Sequence, residues 1–469
     1  MHAVEPIYEQ ITNYDINQLF KIFAYKKDLV ILSSARLMDD YGRYSFICFD
    51  AFASFATKGF KFYWNNQKIE LSDPFAFINK KINKYKIKKI HELPPLQGGV
   101  VGYCGYEVSH YLETLPSVID HIKLPDLYLR FYSNIIAIDQ IAKKCWIIAT
   151  GFPAQDYNAR LKLAKISINK IKEEIHKNKP YKFTKNNKPK ISNNITANFT
   201  KENYLQTVER AKEYILNGDV FEINVTQQFK AQLLPGFHPI DLYFYLDEFN
   251  PAPFSAFMKI NRDGYIVSAS PERFIKLTNK TVETSPIKGT ITRDKCSIKD
   301  RQLAKELLAS EKDRAENVMI VDLMRNDLSK VCQPHTVIVE ELCGLKSFVT
   351  VHHLVSKITG YLQNNLNAID LIKATFPPGS ITGAPKIRSM EIISELEQQT
   401  RGPYCGFTGY ISFTGDLDTS VVIRTYFINN QNIFFSAGGA IVLDSDPEAE
   451  YLESMTKAKP LFDILKGLK

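Results

Sequence analysis

The spacing of apolar residues along the chain predicts strands that come in adjacent groups, with helices between the groups. Short apolar or alternating runs predict strands over residues 28–34, 44–49, 60–64, 127–150, 220–230, 254–260, 264–270 and 407–437. Apolar residues at intervals of three and four predict helices over residues 161–176, 201–217, 239–248 and 299–329, one after residue 384, and a last one from Pro447. Because strands and helices do not alternate regularly, the pattern favours an α+β fold with mainly antiparallel sheets.

One segment, residues 179–199, breaks this pattern. It is rich in Lys, Asn and Pro and poor in large apolar residues, which is typical of a linker or a long surface loop. We therefore divide the sequence into an N-terminal region of residues 1–178 that contributes strands, a linker of residues 179–199, and a C-terminal region of residues 200–469.

Composition places the chain among ordinary soluble proteins. It has 469 residues, of which 45% are hydrophobic and 23% are charged. No apolar run reaches the roughly 18 residues of a membrane-spanning helix, and residues 1–10 lack the apolar segment of a secretory signal. The seven scattered cysteines form no CxxC pair, which fits reduced thiols. We predict a cytoplasmic protein with no membrane partner.

The net charge of +8 comes largely from Lys-rich stretches at residues 80–89 and 162–190. Nucleic-acid-binding modules interleave basic residues with aromatic ones, whereas these lysines lie among Asn and Ile. We interpret both stretches as solvated surface, and we predict no nucleic-acid partner.

Two acidic helix faces are the first candidates for chemistry. In the last predicted helix Asp446 is placed to cap the N-terminus, and Glu450 and Glu453 lie three residues apart on one face. Like charges at this spacing cost roughly 0.2–0.5 kcal/mol, a cost that a divalent cation would turn into a binding site. Taken alone, this helix is better explained by a solvated acidic first turn that the helix dipole stabilises.

A second acidic pair strengthens the metal hypothesis. Asp313 and Glu316 are also three residues apart, on a helix that continues into the apolar residues 318–324. A capping box with Ser310 or an ion pair with a neighbouring basic residue is the alternative explanation. Two acidic faces on helices that enter a core suggest a Mg²⁺ site of few carboxylates, which substrate oxygens would complete.

A glycine-containing loop at residues 379–386 runs directly into a predicted helix and includes Ser380 and Lys386. Such a loop presents backbone N–H groups to an anion. A simple glycine-containing helix entry explains the same residues equally well.

Arg424 lies among large apolar residues of a predicted strand. A guanidinium there needs a partner, and a carboxylate ligand would pair with it in a bidentate manner. An exposed edge position or an internal salt bridge is the alternative. Tyr404 would add a hydroxyl donor, and Gly438 and Gly439 allow the backbone to approach a ligand closely.

Together these segments resemble the chorismate-utilising enzymes, a family of anthranilate synthase and aminodeoxychorismate synthase large subunits and of isochorismate and salicylate synthases. The matching segments are residues 218–224, 270–274, 286–290, 313–327, 352–356, 379–386, 406–424 and 436–453. The resemblance implies a two-lobed sandwich of mainly antiparallel sheets flanked by helices. It also implies that residues 200–469 form a chorismate-binding catalytic region with the active site between the lobes.

The resemblance further implies a metal site and a substrate site. The implied Mg²⁺ ligands are Glu316 and Glu453, with Asp313 and Glu450 acting mostly through water. That ion would bind the ring carboxylate of chorismate, and the enolpyruvyl carboxylate would lie against the arginine and tyrosine noted above. The implied substrate contacts are Arg424, Tyr404, Ser380, Gly439, Ala440, Lys386 and Thr290.

Three positions indicate a branch of the family. Lys288, in a Pro-Ile-Lys-Gly-Thr segment, stands where anthranilate synthases usually have Ala and aminodeoxychorismate synthases have a Lys thought to attack the substrate. Glu222 stands where isochorismate and salicylate synthases have a water-activating Lys, and residues 250–257 look more like the aminodeoxychorismate branch. The resemblance therefore implies conversion of chorismate to 4-amino-4-deoxychorismate for 4-aminobenzoate and folate biosynthesis. The alternatives are anthranilate synthase and a sensor of chorismate or tryptophan without activity.

The implied chemistry gives roles to three side chains. Lys288 would add to ring C2 as the C4 hydroxyl leaves, Glu272 would be the general acid, and His353 would lie in the active site, whereas His352 is predicted to be structural. A free Lys has a pKa of about 10.4, so only about one molecule in a few thousand is neutral at pH 7. We therefore expect burial or a nearby cation to lower the pKa of Lys288.

The source of ammonia and a regulatory pocket complete the expectations. The residues around Cys104 do not form the nucleophile elbow of a glutaminase, so the resemblance implies a separate glutamine amidotransferase subunit. Relatives also have a tryptophan pocket, which here would involve Ser34, Pro251 and Phe254. A plain strand end explains Ser34 equally well.

Overall fold

The computed structural model of the protein describes residues 5–12, 14–34, 41–184, 188–192, 194–347 and 351–467. The strands in this part of the chain are β1 (Ile7–Ile11), β2 (Val30–Ser33), β3 (Tyr44–Cys48), β4 (Ala53–Lys58), β5 (Lys61–Trp64), β6 (Gln67–Ile69), β7 (Gly99–Cys104), β8 (Leu127–Tyr132), β9 (Asn134–Asp139), β10 (Lys144–Ala149), β11 (Thr196–Ala197), β12 (Glu222–Gln232), β13 (Phe254–Lys259), β14 (Gly264–Ser270), β15 (Arg273–Thr278), β16 (Thr281–Thr284), β17 (Ile287–Thr292), β18 (Ile338–Ser347), β19 (Val351–Tyr361), β20 (Gly383–Ala384), β21 (Phe407–Ser412), β22 (Leu417–Val421), β23 (Thr425–Asn429) and β24 (Asn432–Ile441). The α-helices are α1 (Ile16–Ile22), α2 (Pro74–Lys84), α3 (Tyr157–Lys177), α4 (Lys201–Leu216), α5 (Pro239–Phe249), α6 (Ser297–Ala309), α7 (Glu311–Ser329), α8 (Ala368–Thr375), α9 (Lys386–Glu397) and α10 (Pro447–Leu465). Short 3-10 helices cover Tyr106–Tyr111 and Gly379–Ile381.

The strands form two large antiparallel sheets. The first sheet has the order β1-β10-β9-β3-β2-β13-β14-β23-β24-β12-β11, and β20 pairs with β12 beside this path. The second sheet has the order β17-β19-β16-β15-β22-β21-β7-β8-β4-β5-β6, and β18 pairs with β19. The α+β class and the antiparallel pairing that the sequence predicts are therefore confirmed.

Both sheets contain strands from both halves of the sequence. In the first sheet β2 pairs with β13, so that Ile31 lies opposite Phe257, and in the second sheet β7 pairs with β21, so that Gly102 lies opposite Gly409. Residues before and after the segment 179–199 thus share one sandwich, because neither sheet is complete without strands from each side.

The segment predicted as a linker, residues 179–199, lies on the first sheet where it is described. The Tyr181 hydroxyl donates a hydrogen bond to Asp241 (2.8 Å), Phe183 packs against Phe244, and β11 extends the sheet next to β12. These contacts attach the segment to the surface of the fold.

Two apolar layers stabilise the sandwich. Aromatic side chains on the face of the second sheet that α2 covers, among them Phe55, Phe131 and Phe413, are almost completely buried. On the outer face of the first sheet, α1, α3, α5 and α10 form the second layer, to which Ile168 and Leu461 contribute. Each side chain of this size gains roughly 1.5–3 kcal/mol from burial. Between the sheets, the rings of Phe46 on β3 and Tyr410 on β21 lie 5.4 Å apart.

Most predicted elements are confirmed within a few residues, and α10 begins as expected. The Asp446 side chain accepts a hydrogen bond from the backbone N–H of Ala449 (2.9 Å), and Pro447 occupies the first turn, where its missing N–H costs nothing. Within the described residues, no helix has both the length and the apolar composition needed to cross a bilayer.

The prediction of a single helix over residues 299–329 is wrong. The chain leaves the helical conformation at Ser310, whose backbone is extended (φ −64°, ψ 108°), and the Ser310 hydroxyl accepts a hydrogen bond from the backbone N–H of Asp313. A serine N-cap inside an apparently continuous helical pattern therefore starts a new helix, α7, one turn before its acidic face.

Two of the places where the chain passes from one sheet to the other lie side by side. The chain passes from the first sheet to the second between β14 and β15, at Glu272, and returns between β22 and β23, at Arg424. Backbone hydrogen bonds join the crossings, from Val421 to the Glu272 carbonyl (3.0 Å) and from Ala269 to the Arg424 carbonyl (3.2 Å). The prediction that Arg424 lies inside a strand is wrong, because its φ of 52° is incompatible with extended backbone.

Candidate active site

A buried ion pair joins the two sheets near these crossings. Lys288 lies on β17, where the pairing with β19 shifts register and Gly289 adopts a left-handed φ of 85°, so the strand bulges. The Lys288 Nζ donates a hydrogen bond to Glu222 Oε1 (2.6 Å), and Glu222 is the first residue of β12 in the opposite sheet. The lysine side chain is 9% exposed and the glutamate 0%, so the interior of the sandwich holds both charges.

The expected lowering of the pKa of Lys288 is wrong for this arrangement. Burial alone lowers the pKa of the amine, but the negative charges of Glu222 and Glu316, together with the hydrogen bond to Glu222, outweigh burial and raise it. The resting site therefore holds Lys288 as an ammonium ion that is paired with carboxylates.

Glu272, at the first sheet crossing, is shifted toward its uncharged form, whereas Lys288 is shifted toward its charged form. Burial raises the pKa of its carboxyl to about 7, although a hydrogen bond from the Ser380 hydroxyl and the charge of Lys288 act in the other direction. A carboxyl with this pKa carries a proton in a substantial fraction of molecules at neutral pH, which is what a general acid requires.

His353 is a neutral imidazole in the same layer. Its Nδ1 lies 2.7 Å from the Thr290 hydroxyl, which is opposite it on β17. Burial and the charge of Arg424 lower the pKa of His353 to about 3. Neighbouring His352 instead bonds to Ser347 (2.8 Å) and Asp300 (3.1 Å), which fits the structural role predicted for it.

Arg424 is a cation that remains available to a ligand, whereas the Tyr404 side chain interacts with Cys405. Arg424 is half-buried, and within the described part of the chain its guanidinium has no hydrogen bond or ion pair. Burial lowers the pKa of Arg424, and the negative charge of Glu272 acts in the other direction and raises it. Tyr404 is buried, which raises the pKa of its phenol and keeps the hydroxyl protonated. A bound carboxylate would give Arg424 the partner that it lacks.

The two predicted acidic faces converge across the helix pair α7 and α10. Lys312 of α7 lies 3.5 Å from the Glu450 carboxylate of α10 and 4.0 Å from that of Glu316 on its own helix. Lys457 lies 2.6 Å from Glu453. Burial raises the pKa of Glu316 to about 7, and the charges of Glu222 and Asp313 act in the same direction, so Glu316 lies close to other carboxylates.

Two observations show that this cluster fits a hard divalent cation. Glu450 is buried, and no hydrogen-bond donor of the described residues meets its Oε2. Gly439 on β24 faces it so closely that an added Cβ would lie 3.0 Å from Glu450 Oε2 and 3.4 Å from Glu453 Oε1. Asp313 borders the cluster through a similar close approach to Gly289. Among the described residues no three acidic, His or Cys side chains form a ready cage, so oxygens from another molecule would have to complete the shell.

Comparison with known proteins assigns this arrangement to a family. Residues 35–463 match the chorismate binding enzyme family. The chain belongs to this family. The resemblance of the sequence motifs and the chorismate-utilising enzyme fold are thereby confirmed, and the protein is a chorismate-utilising enzyme.

Individual members of the family cover almost the whole chain. Aminodeoxychorismate synthase component 1 of Bacillus subtilis (strain 168) is 35% identical over 447 residues, 94% of this chain and 93% of the relative. Anthranilate synthase component 1 of Aquifex aeolicus (strain VF5) is 33% identical over 487 residues, 99% of this chain and 95% of the relative. The crystal structure of anthranilate synthase component I from Streptococcus pneumoniae TIGR4 is 31% identical, with a TM-score of 0.78 over 90% of this chain and 93% of that chain.

The loop over residues 379–386 packs against β12 in this chorismate-binding fold. Its backbone pairs with β12, since the Asn224 N–H donates to the Thr382 carbonyl (2.8 Å) and the Phe221 N–H donates to the Ala384 carbonyl (2.7 Å). Ser380 faces the site and hydrogen-bonds to Glu272, as described above. The loop thus positions one hydroxyl, and two of its carbonyls are used within the chain.

Lys386 does not have the substrate-binding place predicted for it. Its ammonium donates to the Asp327 carboxylate and to the backbone carbonyls of Thr375 (2.8 Å) and Pro377 (2.8 Å). An ammonium group has three N–H donors, and all three are used within the chain. Lys386 therefore holds the loop in position.

A cavity of about 530 Å³ lies between the sheets at the predicted tryptophan pocket. Its lining includes Phe254 and Ser33, but neither Ser34 nor Pro251 is among its described lining residues. Ser34 is buried and accepts a hydrogen bond at its carbonyl from Gln140 (3.0 Å). Of the three residues expected there, only Phe254 is placed to contact a ligand in this cavity.

The sequence did not reveal that Glu222 pairs with Lys288 or that Glu453 pairs with Lys457. Glu222 distinguishes branches of the family, but a lone carboxylate in the largely apolar segment 220–225 also needs a cationic partner, just as Arg424 needs an anionic one. Lys312 belongs to the basic neighbours in the alternative explanation for Glu316, and it lies 4.0 Å from that carboxylate. Lys457 gave no signal, because basic residues one turn from glutamates are common on exposed helices.

Proposed function

We propose that this chain is the synthase subunit that converts chorismate and ammonia to 4-amino-4-deoxychorismate. The observation that carries the proposal is the inward-facing Lys288 amine, 2.6 Å from Glu222 and buried between the sheets. A buried amine in a substrate site is suited to covalent catalysis. The name of the Bacillus subtilis relative supports the same reaction.

The free polar groups suit a substrate with two carboxylates. Arg424 and Tyr404 would bind the enolpyruvyl carboxylate, and the backbone at Gly439 and Ala440 would lie along the substrate. Thr290, fixed by its hydrogen bond to His353, would present its hydroxyl to the ring. A neutral His353 would contribute a hydrogen bond rather than a positive charge.

The carboxylates of α7 and α10 would hold Mg²⁺. Glu316 and Glu453 would be the direct ligands, with Asp313 and Glu450 acting mostly through water. When bound, Mg²⁺ would supply positive charge that stabilises the charge developing on the ring carboxylate. Gly439 keeps the space next to these carboxylates open.

The reaction would proceed through a covalent adduct. The neutral Lys288 amine forms a bond to ring C2 as the C4–O bond breaks, and Glu272 gives its proton to the departing hydroxyl, which leaves as water. Ammonia then bonds to C4, the bond between C2 and Lys288 breaks, and the new ammonium returns a proton to Glu272. Atoms and charges balance, and both side chains end as they began.

Ammonia would come from a glutamine amidotransferase subunit. The name "component 1" carried by the Bacillus subtilis relative implies a second component in that protein. The product would feed 4-aminobenzoate and folate biosynthesis after a separate lyase acts. Pull-down of a co-expressed glutaminase tests the partner independently of the chemistry.

One product assay separates this proposal from anthranilate synthase, the function named for two of the relatives. The purified chain is mixed with chorismate, Mg²⁺ and ammonium, with and without added aminodeoxychorismate lyase. We expect 4-aminobenzoate only when the lyase is present. Blue-fluorescent anthranilate without lyase would instead establish anthranilate synthase, and no product of either kind would contradict both.

A further inference from the structure

Glu222 is the most completely enclosed charged group near the reacting amine. Its side chain has no exposed surface, Oε1 accepts the hydrogen bond from Lys288 (2.6 Å), and Oε2 has no hydrogen-bond donor among the described residues. The backbone around it is fixed, since Glu222 pairs with Ala384 and Ile223 pairs with both Gly383 and Ile441. The backbone of Glu222 is therefore fixed, and among the described residues the Lys288 amine is the hydrogen-bond donor to its carboxylate.

Lys288 has few other routes for its proton. It is 9% exposed, so direct exchange with bulk water is restricted. The charged groups that face the amine from the surrounding elements are Glu222 of β12, Glu316 of α7, Glu453 of α10 and Glu272 at the sheet crossing. Of these, Glu222 is the one that hydrogen-bonds to the amine.

We propose that Glu222 is the proton acceptor that turns Lys288 into a nucleophile: Glu222 Oε1 takes a proton from Nζ before the amine bonds to substrate and returns it when the amine departs. This role rests on the proposed function, in which Lys288 forms the adduct. It gives Glu222 a catalytic task distinct from that of Glu272, which serves the leaving hydroxyl.

Charge conservation favours this internal transfer. Moving the proton from Nζ to Oε1 converts an ammonium–carboxylate pair into an amine–acid pair, so the net charge of the buried pair stays at zero. Losing the proton to solvent would leave a buried carboxylate without a partner, which is unfavourable in a medium of low dielectric constant. Protonation of Glu222 also removes the negative charge shared by Oε2, the oxygen that has no hydrogen-bond donor among the described residues.

The proton balance closes over one turnover. Lys288 gives one proton to Glu222, the neutral amine forms the bond to C2, and the resulting secondary ammonium loses no further proton. When ammonia displaces Lys288, the C2–N bond breaks and the amine leaves neutral, and Glu222 returns the stored proton to it. No solvent proton is needed for the nucleophile.

The first test is a ratio of rates. Glu222→Gln keeps the size and one hydrogen bond but cannot take the proton, so solvent must deprotonate Lys288 in the variant. At constant free ammonia, we expect the ratio of wild-type to variant kcat to fall about tenfold per pH unit until Lys288 of the variant is titrated. Taking the ratio cancels the titration of Glu272, which both proteins share.

The second test measures the protonation of the Lys288 amine without turnover. Carbamoylation of Lys288 by cyanate, followed by mass spectrometry of its peptide, measures the neutral amine as a function of pH. We expect carbamoylation of Glu222→Gln to fall more steeply on acidification than that of the wild type or of Glu222→Asp, because only a carboxylate at this position can take the proton from the amine. Glu395→Gln, at an exposed ion pair with Arg210, is the control for loss of one charge elsewhere.

The outcomes decide between roles. A rate ratio that is constant with pH would mean that Glu222 only shapes the site, and an unchanged carbamoylation profile in Glu222→Gln would mean that the pair shares no proton; either overturns the proposal. If the wild type forms no aminodeoxychorismate, the proposed function fails, while the carbamoylation profiles still decide whether Glu222 holds the proton of Lys288. Thermal melting confirms that each variant is folded.

Discussion

The protein contains two lysines that are buried to nearly the same extent but differ in their contacts. Lys288 is 9% exposed and donates to one acceptor, Glu222. Lys386 is 12% exposed and donates to three, the Asp327 carboxylate and two backbone carbonyls. Burial therefore does not distinguish a reactive lysine from a structural one, whereas the number of N–H donors already in use does. An ammonium with unused donors can change its partner during a reaction.

The largest expected effect is on the reactive side of this comparison. In Lys288→Met, product formation should fall by at least about a thousandfold, because the amine that forms the adduct is gone. The fold should persist, since Glu222 can take up a proton and remain buried as a neutral acid. The lyase-coupled assay and thermal melting measure the two quantities. Retained activity would rule out the covalent route.

Lys386→Met is the matched variant on the structural side. The substitution leaves two carbonyls without a donor and removes one partner of Asp327, so the free energy of unfolding should fall by about 3 kcal/mol. The remaining folded protein should keep most of its activity. Urea unfolding and kcat per folded molecule check this prediction. A loss of activity at unchanged stability would reverse the comparison and return Lys386 to the substrate site.

The pH dependence of kcat tests the role of Glu272, one of the carboxylates near Lys288. Burial raises the pKa of Glu272 to about 7, so the proton is present below that pH and is lost above it. If Glu272 is the general acid, kcat should fall about tenfold per pH unit above about pH 7. Glu272→Gln should be slow and lack this limb. A wild-type profile that rises through this range would assign the acid to another group.

The smallest expected effect concerns the acidic cluster. In Gly439→Ala the added Cβ would lie 3.0 Å from Glu450 Oε2, a contact that forces the carboxylate to move by a few tenths of an ångström. We expect the Mg²⁺ concentration for half-maximal activity to rise about tenfold, equivalent to about 1.4 kcal/mol, with little change in the chorismate requirement at saturating Mg²⁺. Calorimetric titration of Mg²⁺ gives the same quantity without turnover. Unchanged Mg²⁺ affinity would place the ion elsewhere.

Local elements were predictable from the sequence because their signals are local. Asp446 and Pro447 identified the start of α10, and the spacing of Glu450 and Glu453 identified its acidic face. The same local reasoning failed where two signals competed, as at Ser310, where the apolar spacing continues through a serine cap. It also failed at Arg424, because an apolar run gives no sign of the point where a chain leaves one sheet for another.

The candidate site was predictable as a set of residues but not as a set of contacts. Glu272, Lys288, His353 and Arg424 were all expected, and the structure brings them into one layer through the two adjacent sheet crossings. Lys386 was expected in the same site because it follows the glycine loop, but its three hydrogen bonds lie with Asp327 and the loop carbonyls. A sequence shows which donors exist, and it does not show which are already satisfied.

By itself the sequence determined the strands, most of the helices, the caps, the acidic helix faces and the family, because each depends on residues close together in the chain. Only the tertiary structure decided that Lys288 meets Glu222, 66 residues earlier and in the opposite sheet. That contact raises the pKa of the amine where burial alone would lower it. The physical reason is that electrostatic effects depend on distances through space, which are fixed only when the two sheets pack.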